Sequence, residues 1–254
     1  MRILVCVKRV PAPGARINIT ADGQEVDSSH LAFTISPHEE CAVEAAAQLI
    51  ELHGGEATVL TLGPAEAEEQ LRYAVSVGMT AAVLLPTTDG EWDPQRTAQA
   101  IASAVGELES SGGEFDLILF GNESADSGGF QVGVRVSYGL SRPMVNGGKA
   151  LSIANGVAHV ERESDSGRET YELPMPAVVG VKEGINLPRY PTMKGRLASK
   201  KAGVESIVPL AEPGGLRKLV LQRPPEKKSE TIILGTGPDA ASAVVDVLEA
   251  IGVL

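Results

Sequence analysis

The stretch "FDLILFGNESADSGGFQVG" (115–133) combines two patterns that decide the fold. Residues 115–121 form a short apolar run, which is typical of a strand buried on both faces of a sheet. Gly128 and Gly129 then indicate a turn, and the residues that follow, to about 140, continue as a helix. The stretch therefore predicts a strand, a glycine-rich turn and a helix, which is one unit of an α/β sheet.

The same strand–helix unit occurs in the chain before this stretch. Short apolar runs predict strands at 2–8, 56–63 and 81–86, and helices over 36–55, 64–79 and 93–111. Ser36 is the expected N-cap of the first helix, with Pro37 at N1 and Glu39 at N3. Asp93 is the expected N-cap of the third. This alternation predicts a doubly wound, mostly parallel sheet.

The pattern changes after about residue 143. Residues 148–183 alternate between apolar and polar side chains, with turn signals at Asn155-Gly156 and Ser166-Gly167. They are expected to form antiparallel strands that extend the sheet. A linker over 204–230 and a last extended piece and helix over 231–254 would form a C-terminal arm. The predicted domain boundary lies at 203/204.

Composition excludes several classes of function. The net charge of −11 argues against nucleic acid as a partner. Cys6 and Cys41 lie in apolar stretches and are expected to be buried thiols, without metal or disulfide chemistry. We expect no membrane insertion, because no apolar run approaches the roughly 18 residues of a membrane span. Without a signal-peptide pattern after "MRILVCVK", the expected location is cytoplasmic.

The glycine-rich stretch 121–133 has the properties of an anion site. Glycines allow backbone N–H groups to approach an anion, and the start of a helix attracts negative charge. We expect Gly129 in particular to need a backbone conformation that a β-branched residue disfavours. "GTGPDA" (235–240) imitates a dinucleotide fingerprint, but too little chain follows it for a second strand. No catalytic set of His, Cys, Ser or carboxylate residues stands out.

Segment 184–203, "GINLPRYPTMKGRLASKKAG", is basic in an acidic chain and predicts a loop shaped by Gly and Pro. Its apolar Met193 has polar neighbours. From these residues alone, Met193 either packs on its own linker or is an exposed anchor for a partner.

Several stretches, taken in order, resemble one family. "RILVCVKRVP", "SPHEECAVEAAAQL", "LTLGPAEAEEQLRYAVSVGMTAAVLL", "LILFGNESADSGGFQVG" and "LPMPAVVGVKEGINLPRYPTMKGRLASKK" are similar to segments of the beta (small) subunit of electron-transfer flavoproteins. The resemblance covers most of residues 1–203. Its specificity comes from the ordered set, since no single motif is sufficient.

The resemblance implies a Rossmann-like domain that binds an adenine nucleotide and acts as an electron carrier, without a substrate reaction of its own. An alpha subunit would hold the redox FAD and pack against residues 204–254. Flavoprotein dehydrogenases would donate electrons, and a quinone reductase or similar acceptor would take them. The nucleotide would be AMP or, in an electron-bifurcating member, a second FAD. A free-standing universal-stress-type nucleotide-binding module is the alternative from another class.

The resemblance also implies two sets of site residues. Those expected at the nucleotide are Val7, Lys8, Ser36, Leu62, Gly63, Gly121, Asn122, Ser124, Ala125, Asp126, Ser127, Gly128, Gly129, Phe130, Gln131, Val132 and Gly133. Those expected to dock partners lie in segment 184–203, hereafter the docking segment, and are Asn186, Pro188, Arg189, Tyr190, Met193, Lys194, Arg196, Lys200 and Lys201. Ser36, Gly128 and Gly129 depart from the family's usual residues, and this removes side-chain donors but keeps backbone donors.

Overall fold

The computed structural model describes residues 1–88, 90–212, 214–225 and 231–254. The chain divides into two units, Met1–Leu221 and Gln222–Leu254. The predicted domain boundary at 203/204 stays a prediction. The predicted linker 204–230 includes positions 213 and 226–230, which lie outside the described residues.

Strands and helices alternate through the first half of the chain, as the sequence predicts. The strands are β1 (Arg2–Cys6), β2 (Val10–Pro11), β3 (Phe33–Thr34), β4 (Glu56–Gly63), β5 (Ala81–Pro86), β6 (Leu117–Gly121), β7 (Met144–Ala154), β8 (Val157–Ser164), β9 (Gly167–Pro174), β10 (Ala177–Val181) and β11 (Glu205–Ser206). The helices are α1 (Pro37–His53), α2 (Glu68–Ser76), α3 (Pro94–Gly112), α4 (Gln131–Gly139), α5 (Met193–Lys201) and α6 (Ala241–Ala250).

A nine-stranded sheet organises the first unit, in the order β11-β5-β4-β1-β6-β10-β7-β8-β9. Pairing is parallel from β11 to β7 and antiparallel among β7, β8 and β9. The direction of winding changes between β1 and β6, and this creates the crevice where open α/β sheets bind ligands. The predicted doubly wound sheet with an antiparallel extension is confirmed.

Strand β10 differs from its prediction. The run 177–181 was expected among the antiparallel strands, but it lies between β6 and β7 and is parallel to both. All of its residues are buried. The continuous apolar sequence "AVVGV" suits a strand covered on both faces, which is the environment of a parallel strand.

The predicted local signals at helix starts and turns are confirmed. Ser36 and Glu39 form the capping box of α1, with Pro37 in its first turn. The Asp93 side chain accepts hydrogen bonds from two backbone N–H groups at the start of α3. Asn155, which connects β7 to β8, has a φ of 52°, within the left-handed region that Asn tolerates.

The docking segment is not a loop throughout, because residues 193–201 form α5. Thr192 is its N-cap and accepts the N–H of Gly195 at 3.0 Å. The Arg72 guanidinium of α2 donates to the Ser199 and Ala202 carbonyls at the other end. A Cβ on Gly195 would lie 2.1 Å from the Ser76 carbonyl oxygen, so only glycine permits this contact with α2. Helix α5 is too short to be stable through helix propensity alone, and packing on α2 stabilises it.

The second unit contains α6, preceded by a 3-10 turn over Gly237–Ala240. The expected last helix is therefore confirmed. Within the described residues 231–254, α6 has no buried residue, and its Val244, Val245 and Val247 are partly exposed. None of the helices in the described ranges is long and apolar enough to cross a membrane.

We predict that Asp93→Ala lowers the free energy of unfolding by about 1 kcal/mol, the usual cost of losing a helix N-cap. Asn caps as well as Asp, so Asp93→Asn should keep nearly all of the stability. Urea unfolding of the two variants and the parent protein, followed by circular dichroism, measures the difference. Equal losses in both variants would contradict the capping role.

Candidate functional site

The expected nucleotide residues from separate strands meet at the carboxyl edge of the sheet. Val7 follows β1, and its carbonyl accepts the Thr61 hydroxyl of β4 at 2.7 Å. Gly63 ends β4, and Gly121 ends β6. The Asn122 N–H donates to the carbonyl of Val181, the last residue of β10, at 2.7 Å. The edge thus brings together the ends of β1, β4, β6 and β10, with Leu62 and Gly63 on one side of β1 and the glycine-rich stretch on the other.

A buried carboxylate, Glu39, lies beneath this edge at the start of α1. It accepts the Ser36 N–H at 3.0 Å, the Ser36 hydroxyl at 2.8 Å and the Lys8 N–H at 2.9 Å. A Cβ on Gly121 would lie 2.6 Å from its Cγ, so β6 approaches the helix closely. Burial raises the pKa of Glu39 to about 7, although its hydrogen bonds to Ser36 and Lys8 lower it. The sequence identified Glu39 only as a capping residue.

The side chain of Lys8 connects the loops that follow three strands. Its Nζ lies 2.7 Å from Glu91 Oε1 and 2.8 Å from Asp126 Oδ2. Burial alone would raise the pKa of Asp126, but the charge of Lys8 and their hydrogen bond outweigh burial and lower it. Burial lowers the pKa of Lys8, and the two carboxylates reverse this and raise it. Sequence reasoning missed Glu91, because nothing in the loop between β5 and α3 marks it.

Hydrogen bonds within the chain shape the glycine-rich loop (residues 122–130). The Ser124 and Ser127 hydroxyl oxygens lie 3.1 Å apart, and the Ser127 N–H donates to Asp126 Oδ1 at 2.7 Å. The Gly128 N–H donates to the Ser124 carbonyl at 3.0 Å. Gly128 has a φ of 60°, in the left-handed region that favours glycine.

The expectation that Gly129 carries the special backbone conformation is wrong. Its φ is not in the left-handed region, and a Cβ there would meet nothing nearer than Ser127 Oγ at 3.6 Å. The conformational demand falls on Gly128, because the turn back toward α4 is made one residue earlier.

Helix α4 begins directly after this loop without a capping side chain. Its N-cap is Phe130, which is half exposed and has no polar side-chain atom. The N–H groups of Gln131, Val132 and Gly133 lie in the first turn, where an α-helix offers them no carbonyl partner. These donors and the helix dipole suit an anion at this end.

The first part of the docking segment lies along one face of α1. The Glu183 N–H, immediately before the segment, donates to His38 Nδ1 at 2.7 Å. One helical turn on, Asn186 Nδ2 donates to the Cys41 carbonyl at 2.9 Å. The contacts advance by three residues on both sides, so this part of the chain runs parallel to the helix.

Arg189 makes the third of these contacts. It donates to both carboxylate oxygens of the buried Glu44, at 2.8 and 3.0 Å, and also to Glu51. Of the predicted docking residues, Asn186 and Arg189 therefore hold the segment on α1, while Pro188 is partly buried.

The other predicted docking residues face solvent. Tyr190 is 91% exposed and Met193 is 75% exposed, and Lys194, Arg196, Lys200 and Lys201 are exposed as well. Two apolar side chains that sequence reasoning missed, Leu187 and Leu197, are exposed at 89% and 58%. The packing of α5 on α2 places Gly195 and Ser199 on the inner face of α5. Met193 and Leu197 are therefore neighbours, one helical turn apart, on its outward face.

His38 connects the two regions. Its Nδ1 accepts from the residue that precedes the docking segment, and its Nε2 lies 3.3 Å from Glu123 in the glycine-rich loop. Across the described ranges, no group of three or more His, Cys, Asp or Glu side chains could hold a metal ion. His38 thus lies between the chain that leads to the exposed apolar and basic face of α5 and the glycine-rich loop, whose end at α4 suits an anion.

Comparison with known proteins shows the family of this chain. The family model described as "Electron transfer flavoprotein domain" matches residues 25–211. The chain is 35% identical over 228 residues to the electron transfer flavoprotein subunit beta of Syntrophomonas wolfei, covering 89% of this chain and 87% of that protein. It is 32% identical to the subunit beta of Bacillus subtilis, over 98% of this chain and 97% of the relative.

A third relative has a more specific name. The acryloyl-CoA reductase electron transfer subunit gamma of Anaerotignum propionicum is 31% identical over 197 residues, which cover 77% of this chain and 73% of that protein. All three relatives are named as electron-transfer subunits, and the family model spans most of the first unit. The chain therefore belongs to the electron transfer flavoprotein family, among its beta subunits.

Proposed function

We propose that this chain is the nucleotide-binding subunit of a heterodimeric electron carrier. An alpha subunit would hold the redox FAD, flavoprotein dehydrogenases would donate electrons, and a quinone reductase or similar acceptor would receive them. Members of the family are electron-transfer proteins rather than enzymes, and the redox chemistry of such a carrier belongs to the flavin. The cytoplasmic location expected from the sequence stays a prediction.

The nucleotide proposed for this chain is AMP. The observation that supports it is the uncapped start of α4, which follows the left-handed Gly128 at the switch point of the sheet. The N–H groups of Gln131, Val132 and Gly133 would bind the phosphate. Val7 lies at the exit of β1, and Leu62 and Gly63 lie on the side of β1 away from α4, where the adenosine would lie. The fit rests on backbone donors, because Lys8 is already paired with two carboxylates.

Nucleotide analysis of the purified heterodimer tests this proposal. We expect one AMP and one FAD per heterodimer after denaturation and chromatography. Two FAD and no AMP would replace AMP with the bifurcating arrangement. A heterodimer with FAD alone would contradict a nucleotide site in this subunit.

The C-terminal unit is proposed to pack on the alpha subunit. Its helix α6 exposes Val244, Val245 and Val247, together with Ile251 and Leu254 beyond its end. A short helix with so much exposed apolar surface gains stability when a partner covers it. An alpha subunit is the partner that the family supplies.

Dehydrogenase docking is proposed for the exposed side of the docking segment. Met193 and Leu197 form an apolar pair, and the lysines and arginine of α5 surround it. A small apolar anchor gives specific contact without slow release, and the basic side chains would steer an acidic partner surface into place.

We predict that Gly128→Val lowers the nucleotide content of the heterodimer. A non-glycine residue in the left-handed region costs about 1–2 kcal/mol, so the free loop of the variant should leave this conformation. Returning to it on binding should lower AMP affinity roughly five- to thirtyfold. Gly129→Ala is the matched control, because position 129 has an ordinary φ and space for a Cβ. Titration of nucleotide-free heterodimers with AMP measures both affinities. Full AMP affinity in Gly128→Val would refute the role of this turn.

We predict that Met193→Ala slows electron transfer from dehydrogenases while cofactor content and visible spectrum remain unchanged. A buried Met side chain contributes about 1.5–3 kcal/mol, so docking should weaken roughly ten- to a hundredfold. Leu52→Ala, at a similarly exposed apolar position on α1, is the control and should transfer electrons normally. Stopped-flow reduction of the heterodimer by a reduced dehydrogenase gives the rates. Normal transfer by Met193→Ala, or loss of its cofactors, would reject the anchor role.

A further inference from the structure

An ion triad crosses the carboxyl edge of the sheet at the proposed nucleotide site. Lys8 follows β1, Glu91 lies between β5 and α3, and Asp126 lies in the glycine-rich loop. The Lys8 ammonium contacts both carboxylates, at 2.7 and 2.8 Å. One cation therefore balances two anions, and the triad as a whole is negative.

The triad includes one residue of the glycine-rich loop, Asp126, and contacts a second. Besides Asp126, the Lys8 ammonium contacts Ser127 Oγ at 3.4 Å, next to the left-handed Gly128. Glu91 contacts the same ammonium, so the Lys8 side chain alone separates the Glu91 carboxylate from the loop. An anion bound at the start of α4 would therefore be close to the triad.

The hydrogen-bond donors that remain for an anion at the start of α4 are mostly uncharged. They are the first-turn N–H groups of α4, whose helix end carries roughly half an elementary positive charge. Arg135 lies one turn further along α4, and its Nε and Nη2 donate to Gln131 Oε1 at 3.2 and 3.1 Å. One phosphate group suits such donors, whereas a second phosphate would add negative charge beside an already negative triad.

We infer that Glu91 is a specificity-determining residue. It forms an ion pair with the Lys8 ammonium and thereby restricts the site to nucleotides with one phosphate group. This inference rests on the proposed nucleotide site. It predicts discrimination against ADP, whose terminal phosphate adds negative charge beside the triad. Glu91 itself need not contact the nucleotide, because it acts by compensating the positive charge of Lys8.

Titration of the nucleotide-free heterodimer with AMP and with ADP tests the inference, since the two ligands differ by one phosphate. The parent protein should bind AMP at least about tenfold more tightly than ADP, which is the size of a screened contact between charges. In Glu91→Gln this preference should fall to about threefold or less, mainly through tighter ADP binding. Glu56→Gln is the matched control, because Glu56 pairs with Arg2 at the opposite, amino end of β4.

The outcomes distinguish a failure of the proposed nucleotide site from a failure of the role of Glu91. If the parent heterodimer binds neither AMP nor ADP, the proposed nucleotide site itself is wrong. If it binds both equally, or if Glu91→Gln keeps the parent preference, the site stands and the role of Glu91 is refuted. An equal change in Glu56→Gln would also refute it, because the effect would then come from net charge rather than from the triad.

Discussion

The buried carboxylate of Glu39 is the constraint on which the proposed nucleotide edge depends, and it also fixes the start of α1. It accepts hydrogen bonds from the start of α1 and from the exit of β1, and β6 ends against it at Gly121. Three chain segments thereby keep fixed positions at the switch point of the sheet. An unpartnered charge at this depth would destabilise the fold, and the hydrogen bonds from Ser36 and Lys8 offset that cost. The pKa of about 7 shows that the offset is partial.

Helix α1 then serves as a common support for two surfaces of different chemistry. His38, Cys41 and Glu44 hold the chain that leads to α5, while the start of the same helix anchors Lys8 and the edge beside the glycine-rich loop. His38 touches both, through Glu183 and Glu123. A rigid element between two sites keeps their spacing constant, which an electron carrier needs if docking is to place a partner at a reproducible distance from the flavin.

Sequence patterns predicted those parts of the fold that local physics determines. Apolar runs located the parallel strands, and Ser36 and Asp93 located helix starts, because capping is a property of a few neighbouring residues. Strand β10 and helix α5 were mispredicted, since their states come from burial between β6 and β7 and from packing on α2, both distant in sequence. For the same reason Glu91 was invisible: its role arises from an ion pair with Lys8 across the sheet edge.

The helical state of residues 193–201 bears on the proposed docking. On a loop, Met193 would lose conformational freedom each time a partner bound. In α5 its backbone is already fixed by Thr192, by Arg72 and by the close contact of Gly195 with Ser76. The proposed docking would then order little more than side chains, and the ordering cost that limits affinity would be smaller. The helix also adds Leu197 to Met193 on one outward face, so the proposed anchor would be a preformed apolar pair. If partners dock here as proposed, such a small, preorganised contact surrounded by basic side chains would give fast association with rapid release.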